Sequence, residues 1–462
     1  MHFIQAINLK LRYLAFFGAV LILFGGILRC RNEIAGESRQ NQTAREIVQE
    51  WNRLALELER FTSGYRPPVT SRMFAYLGMV GYEASLPALP EYVSLERYCE
   101  GYKSASPPPK GYYLPDGLNA AYAECLRNFF LEAPIAMREK IGQLEKKWSE
   151  QSNATPEIHR ASTIFGRETA KAVWRWSATD NQGHDGYLYN YDRNYQPPVG
   201  KGKWQPGGDH PMPAMLPHWG QARRFANWAD SISVKPPVVY DTLPGTSYHT
   251  EALEVFTISQ NLSKEYRWIA EFWSDDVEGL TLTPAGRWIM IANQAIEKSD
   301  VPFVVVLETY LMVGWALNDA SVVCWQGKYQ YNLERPESYI NAFIQADWKP
   351  LHDSPSFPAY PSGHAAYGAA VAEILTSQIG SDFSLTDRTH DHRREFAGKP
   401  RNYSNFRAMA LENATSRIFL GVHFRMDCKE GLRIGKKVGD QMLDLRLRRD
   451  ELSGKLKAES GS

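Results

Sequence analysis

Phe357-Pro-Ala-Tyr-Pro-Ser-Gly-His364 is the stretch on which the reading of this chain turns. Pro361 and Ser362 signal the start of a helix, and Ala365, Ala366 and Ala369 continue it. The first turn of a helix presents unpaired N–H groups and the positive end of the dipole, a setting that attracts anions. Gly363 permits close backbone approach, Ser362 adds a hydroxyl, and His364 brings a group that donates a proton near neutral pH. Taken alone, the octapeptide is a better signal than a pair of cations, with a Ser-capped helix and an incidental histidine as its plainer reading.

Two further segments flank it. Upstream, Lys328-Tyr-Gln-Tyr-Asn-Leu-Glu-Arg335-Pro336 sets two cations seven residues apart. If the segment is helical, both point the same way, and Pro336 favours a break beside Arg335. Downstream, Ser416-Arg417-Ile-Phe-Leu-Gly-Val-His423-Phe-Arg-Met-Asp427 sets an imidazole four residues before a carboxylate. On a helix that carboxylate accepts from one ring nitrogen, fixes the tautomer and leaves the other nitrogen free as nucleophile or ligand. Arg417 supplies a planar fork suited to a tetrahedral oxyanion. Each segment has a plainer reading, solvated cations in one case and a structural His–Asp pair in the other. Together and in order, they point to one oxyanion site.

Around these segments the periodicity is helical. Apolar residues recur at spacings of three or four over Ala44–Phe61, Ser71–Tyr82, Leu118–Phe130, Ile135–Trp148, Ile158–Trp176, Glu251–Phe272 and Pro284–Ala295. Val301–Trp325 reads as one fully buried helix, too polar at Glu308 and Asn318–Ser321 to need a membrane, and Ile434, Val438, Met442 and Leu445 form a last stripe. Strand-like alternation is scarce, so the expected fold class is all-α. Ser177–Pro237 departs from this pattern with clustered Gly, Pro, Asp, Asn, Tyr and Trp. It reads as an ordered aromatic cover or as plain packing on the bundle. The chain divides into residues 1–30, a helical part 31–250 containing the loop 177–237, a helical bundle 251–450 with the three motifs, and a tail 451–462.

Composition narrows the function. The 462 residues are 44% hydrophobic, 23% charged and 12% aromatic, a globular balance that excludes a disordered or multi-span membrane chain. Lys plus Arg and Asp plus Glu both number 52, so no basic excess exists for general nucleic-acid binding. Tyr13–Leu28 carries no charge and follows Lys10 and Arg12, the pattern of an export signal or a single N-terminal anchor. Export to a periplasmic, extracellular or membrane-attached site follows. Cys30 stands where a bacterial lipoprotein carries its lipidated cysteine, but Arg29 replaces the small residue favoured before it. Cys99, Cys125, Cys324 and Cys428 fit no zinc or redox motif. They read either as two disulfides, with Cys99–Cys125 the natural pair, or as four buried thiols.

Lys-x6-Arg-Pro, Pro-Ser-Gly-His and Ser-Arg-x5-His-x3-Asp, in that order, resemble the motifs of the type-2 phosphatidic acid phosphatase and vanadium-dependent haloperoxidase superfamily. Its large helical bundle holds phosphate or vanadate. The resemblance implies that Lys328, Arg335, Ser362, the Gly363 amide and Arg417 bind the oxyanion and that His364 is the acid–base group. It implies that His423 attacks phosphorus or coordinates vanadium, with Asp427 orienting it. Trp325 and Phe357 resemble aromatics that shape the halide pocket of soluble vanadium chloroperoxidases. Phe272-Trp273-Ser-Asp-Asp276, Thr283–Trp288, Tyr76–Gly78 and Tyr82-Glu83-Ala84 resemble the soluble bacterial haloperoxidases, so the likeness spans roughly residues 70–445. The implied activity is oxidation of a halide by hydrogen peroxide through histidine-bound vanadate, halogenating a small organic acceptor. The alternative is a soluble acid phosphatase that hydrolyses phosphate esters through a phosphohistidine. A non-catalytic oxyanion binder would need the cations but neither imidazole. On this reading Lys328→Ala weakens oxyanion binding before it affects the fold.

Overall fold

The computed structural model describes residues 37–449 except 106, 208–210, 230, 392 and 394–397, so the apolar N-terminal segment and Cys30 lie outside the described residues. The fold is a large helical bundle. In chain order the helices are α1 (Arg39–Phe61), α2 (Pro67–Ser85), α3 (Leu114–Phe129), α4 (Ile135–Glu150), α5 (Pro156–Ser177), α6 (Ser247–Gln260) and α7 (Lys264–Phe272). They continue with α8 (Pro284–Lys298), α9 (Phe303–Tyr331), α10 (Pro336–Phe343), α11 (Gly363–Gln378), α12 (Phe406–Phe419) and α13 (Arg425–Met442). Two short antiparallel ladders, β1 (Tyr191–Asp192) with β2 (Ala214–Met215) and β3 (Leu385–Asp387) with β4 (Arg401–Tyr403), sit in the connections.

Six of these helices start at a polar residue that caps them. The side chains of Ser38, Thr155, Ser263, Thr283, Ser362 and Asn405 each accept from a backbone N–H of the first turn. Ser263 explains one departure from the periodicity. The single helix predicted over Glu251–Phe272 is two, because Ser263 caps a new start immediately after α6 ends at Asn261.

Helix α9 runs through the core. It has the length and apolarity of a membrane span, yet 83% of its most apolar window is buried inside the protein. Its partner α2 lies against it at backbone distance, since a Cβ on Gly314 would meet the Phe74 carbonyl and one on Gly78 the Tyr310 carbonyl. A second close pair is α11 with α13. Gly431, Gly435 and Gly439 recur every fourth residue of α13, and a Cβ at any of them would collide with the carbonyl of Ser362, Ala366 or Ala370. This ridge brings the N-terminus of α11 against the start of α13, which joins two of the three motifs.

The polar break in α9 holds the aromatic segment down. Asp319, buried, accepts from the N–H groups of Phe225 and Ala226 at 2.8 and 2.9 Å, and Asn318 donates to the Arg223 carbonyl at 2.8 Å. Its Trp204, Trp219 and Phe225 are buried. Backbone bonds from Trp204 to Asn332 and from Met215 to Ser356, both 2.8 Å, strap the segment across the motif regions.

All four described cysteines are free and buried, which corrects the two-disulfide reading. Cys324 donates to the Pro361 carbonyl and Cys428 to that of Ala414, so each thiol acts as a small core side chain with its own acceptor.

Glu59, near the end of α1, is buried and accepts from the Thr283 N–H at 3.1 Å and the Thr70 hydroxyl at 3.4 Å. Burial pushes its carboxyl from 4.5 up to about 8. Between those values the native state holds a proton that the unfolded chain has lost, so Glu59 makes stability fall as pH rises through that window. Glu59→Gln is expected to gain on the parent by on the order of 1 kcal/mol per pH unit across the window. Paired thermal melts at pH 5, 7 and 9 check this, and parallel curves would mean that Glu59 does not titrate there.

Candidate active site

The three motifs converge on one cleft of about 480 Å³, lined among others by Trp325, Phe357, Gly363, His364, Arg417 and His423. Lys328, Arg335, Ser362 and Asp427 are buried in its surroundings.

Ser362 caps α11, its hydroxyl accepting from the Ala365 N–H, and its own N–H donates to the Asp427 carbonyl at 3.0 Å. Gly363 opens the helix, with Trp325 the nearest side chain to the place a Cβ would occupy. His364 follows, and its Nε2 has no hydrogen-bond partner among the described residues.

Lys328 and Arg335 meet by a different route from the one the spacing suggested. The helix does not continue between them. Asn332 ends α9 in the left-handed conformation, φ 50°, and Arg335 is the N-cap residue of α10, with Pro336 at its first position. The Lys328 ammonium donates to the carbonyls of Pro358, Ala359 and Pro361 at 2.9, 2.9 and 2.7 Å. Burial pulls this amine below the ordinary lysine range, while three acceptors around one nitrogen favour the ammonium, which alone has three protons to give. Arg335 donates from Nε and Nη2 to the Phe357 carbonyl and from Nη1 to Val422. Burial lowers it to about 9, so it stays charged at neutral pH. Both cations also lie over the Phe357 ring, 4.9 and 5.0 Å from its centroid. The Trp325 and Phe357 rings are 5.1 Å apart.

His423 pairs with Asp427 as predicted, although not within one helix. Phe424 is the N-cap residue of α13, His423 precedes it, and Asp427 sits in the first turn. The Asp427 Oδ2 accepts from His423 Nδ1 at 2.9 Å and from the Phe424 N–H at 3.0 Å. Arg335 Nη1 lies 3.2 Å from His423 Nε2. A cation donating to Nε2 and a carboxylate accepting at Nδ1 assign the proton to Nδ1 and a lone pair to Nε2. Burial, then the charges of Arg335, Lys328 and Arg417, hold His423 well below the ordinary histidine range. Burial and then Arg417, Lys328 and Arg335 do the same to His364. Burial moves the Asp427 carboxyl up, opposed by the Lys328 charge.

Arg417, near the end of α12, donates from Nη1 to the Trp273 carbonyl at 2.9 Å, and its buried Nε has no partner among the described residues. Burial takes it to about 10. The segment that supplies this carbonyl adds what motif reading missed. Asp275 and Asp276 line the cleft beside Arg417. Burial raises their carboxyls to about 7 and about 6, against the pull of Arg287 and Arg417 on the first and Arg66 and Arg417 on the second. Asp276 takes φ 83° and pairs with Arg66 at 3.0 Å. The visible signal is the doubled acid that follows Phe272-Trp273-Ser274. Tyr191, Met212 and Met215 of the aromatic segment complete the lining.

The residues present fit a multiply charged oxyanion. Lys328, Arg335 and Arg417 are buried around the two neutral imidazoles, and two nitrogens at the cleft, Arg417 Nε and His364 Nε2, have no partner among the described residues. Buried donors left unpaired cost about 1–3 kcal/mol each, which an acceptor-rich guest recovers. Among the described residues no group of three or more His, Cys, Asp or Glu is placed to hold a bare metal ion.

Residues 308–449 match the family model described as the VCPO second helical-bundle domain. The vanadium chloroperoxidase of Curvularia inaequalis is 23% identical over 496 aligned positions, 82% of this chain and 78% of that protein. Among solved structures, one titled as the first bacterial vanadium-dependent iodoperoxidase superposes with a TM-score of 0.75 at 26% identity. The match covers 87% of this chain and 97% of the other. An apo-type bacterial vanadium-dependent chloroperoxidase gives 0.60 at 17% identity, covering 81% and 94%, a likeness of fold.

Proposed function

From a chain that matches the vanadium haloperoxidase superfamily, we propose an enzyme that oxidises a halide with hydrogen peroxide, using vanadate held on His423. The observation that carries this reading is the buried group of Lys328, Arg335 and Arg417 around two imidazoles held neutral, with Arg417 Nε and His364 Nε2 unpartnered at the cleft.

His423 offers the Nε2 lone pair, and Asp427 holds the ring in that tautomer through Nδ1. Arg335 and Arg417 bind the oxyanion oxygens, with the Gly363 amide and the Ser362 hydroxyl at the helix N-terminus. Lys328 adds positive potential from the wall. When bound, vanadate supplies a pentavalent Lewis-acid centre that activates peroxide toward halide. His364 is the proton carrier. Burial and then the cationic group keep it deprotonated, and a bound dianion, by cancelling the charge repulsion, moves its pKa upward. Trp325 and Phe357 present apolar ring surface that strips water from the halide. Hypohalous acid leaving the cleft then halogenates an organic acceptor.

The same cations and imidazoles serve phosphate-ester hydrolysis, so the test compares the two activities. Protein purified without phosphate is titrated with orthovanadate while peroxide-dependent halide oxidation and phosphate monoester hydrolysis are followed. Saturable vanadate-dependent oxidation supports the proposal. Ester hydrolysis without vanadate-dependent oxidation would replace it with a phosphatase.

Asp427→Asn is expected to weaken vanadate binding by about 10–100-fold, because the ring loses the carboxylate that fixes its tautomer. Vanadate titration of the variant measures this, and unchanged affinity would assign Asp427 to helix capping alone.

A further inference from the structure

The cleft is also lined by two thioethers, Met212 and Met215. Thioethers are soft nucleophiles that oxidants convert to sulfoxides. The two differ in placement. Met215 lies on β2, only 2% exposed, with its N–H donating to the Ser356 carbonyl and its carbonyl accepting from the Tyr329 hydroxyl. Met212 is 43% exposed and is the one methionine among the described residues with so large an exposed surface. Its side chain therefore borders both the cleft and solvent.

We infer that Met212 is a self-modification site, its thioether intercepting hypohalous acid on the way out of the cleft and becoming methionine sulfoxide. The inference rests on the haloperoxidase reading, which supplies the oxidant. The sulfur attacks the halogen of the hypohalous acid and displaces hydroxide. Water then adds to sulfur, and halide departs with both electrons of the sulfur–halogen bond. In sum, HOX and the thioether give the sulfoxide, a halide ion and a proton, with sulfur losing the two electrons that the halogen gains. The product places a polar oxygen at the cleft edge and leaves Met215 packed behind it.

The test uses full-length, vanadate-loaded protein turned over with peroxide and iodide, bromide or chloride in parallel samples. A large excess of free methionine is present as scavenger. Halide-dependent peroxide consumption is recorded in each sample, and peptides are then mapped by mass spectrometry. Protein given peroxide alone sets the baseline, and protein given a bolus of the same hypohalous acid with the same scavenger sets the route from bulk solvent. The Met212 peptide is expected to gain about 16 Da on the order of tenfold faster than the peptides of Met137 and Met290, which are partly buried on α4 and α8. The scavenger is expected to protect Met212 far less during turnover than against the bolus. Halide-dependent peroxide consumption with Met212 modified no faster than Met137, or protected equally by scavenger in both arms, overturns the inference while leaving the enzyme reading intact. Absence of halide-dependent consumption overturns that reading, and the inference with it.

Discussion

His423→Ala is expected to lose peroxide-dependent halide oxidation by on the order of a thousandfold or more, with little change in the fold. The ring contributes an Nε2 lone pair that Asp427 orients through Nδ1, and the cations beside it, Arg335, Lys328 and Arg417, are donors that cannot supply one. Its loss leaves Asp427 still bonded to the Phe424 N–H, so the start of α13 keeps its cap. Kinetics at saturating vanadate, vanadate titration and a thermal melt on the same preparation separate the effects. The expected pattern is lost turnover, lost tight binding and a small shift in Tm. Partial recovery on adding free imidazole would place the defect at the missing nitrogen. Turnover near that of the parent would mean the His–Asp pair is structural.

Lys328→Met is expected to lose both activity and stability. Read from sequence, Lys328 is an oxyanion ligand whose removal weakens binding before it touches the fold. Its three bonds to Pro358, Ala359 and Pro361 revise that order. These carbonyls belong to the turn that delivers Ser362, Gly363 and His364, and the ammonium is what gathers them. Methionine fills similar volume but leaves the buried Pro358 and Ala359 carbonyls unpaired at about 1–3 kcal/mol each, and the Pro361 carbonyl with only the Cys324 thiol, a large part of the margin of a folded domain. A Tm drop well beyond that of His423→Ala, accompanied by lost vanadate affinity, is the expected outcome of parallel melts and titrations. A variant that melts like the parent and fails only in binding would restore the simpler ligand role.

Much of the site was legible because it is carried by local signals. Ser362 caps a helix, Asp427 meets His423, and the second and third motifs line one pocket that Arg335 of the first reaches through His423. The route by which they meet was not legible. Spacings of seven and four suggested shared helices, but Asn332 ends one helix and Phe424 starts another, so Lys328–Arg335 and His423–Asp427 each straddle a boundary. An Asn in the left-handed region has no unambiguous sequence mark. The glycine ridge of α13 shows how long-range contact is set by small residues whose meaning depends on the facing helix. Asp275 and Asp276 escaped because a buried carboxylate looks like any other acidic residue until its neighbours are known. The mostly helical class followed from periodicity alone, since amphipathic stripes report burial directly.

X-ray absorption at the vanadium edge, or a crystal structure of phosphate-free protein soaked in orthovanadate, shows whether His423 holds the oxyanion. One vanadium bonded to Nε2 of His423, in the space bordered by Arg335, Arg417 and the Gly363 amide, is the expected result. Vanadium with only oxygen neighbours, or bound away from His423, would contradict it.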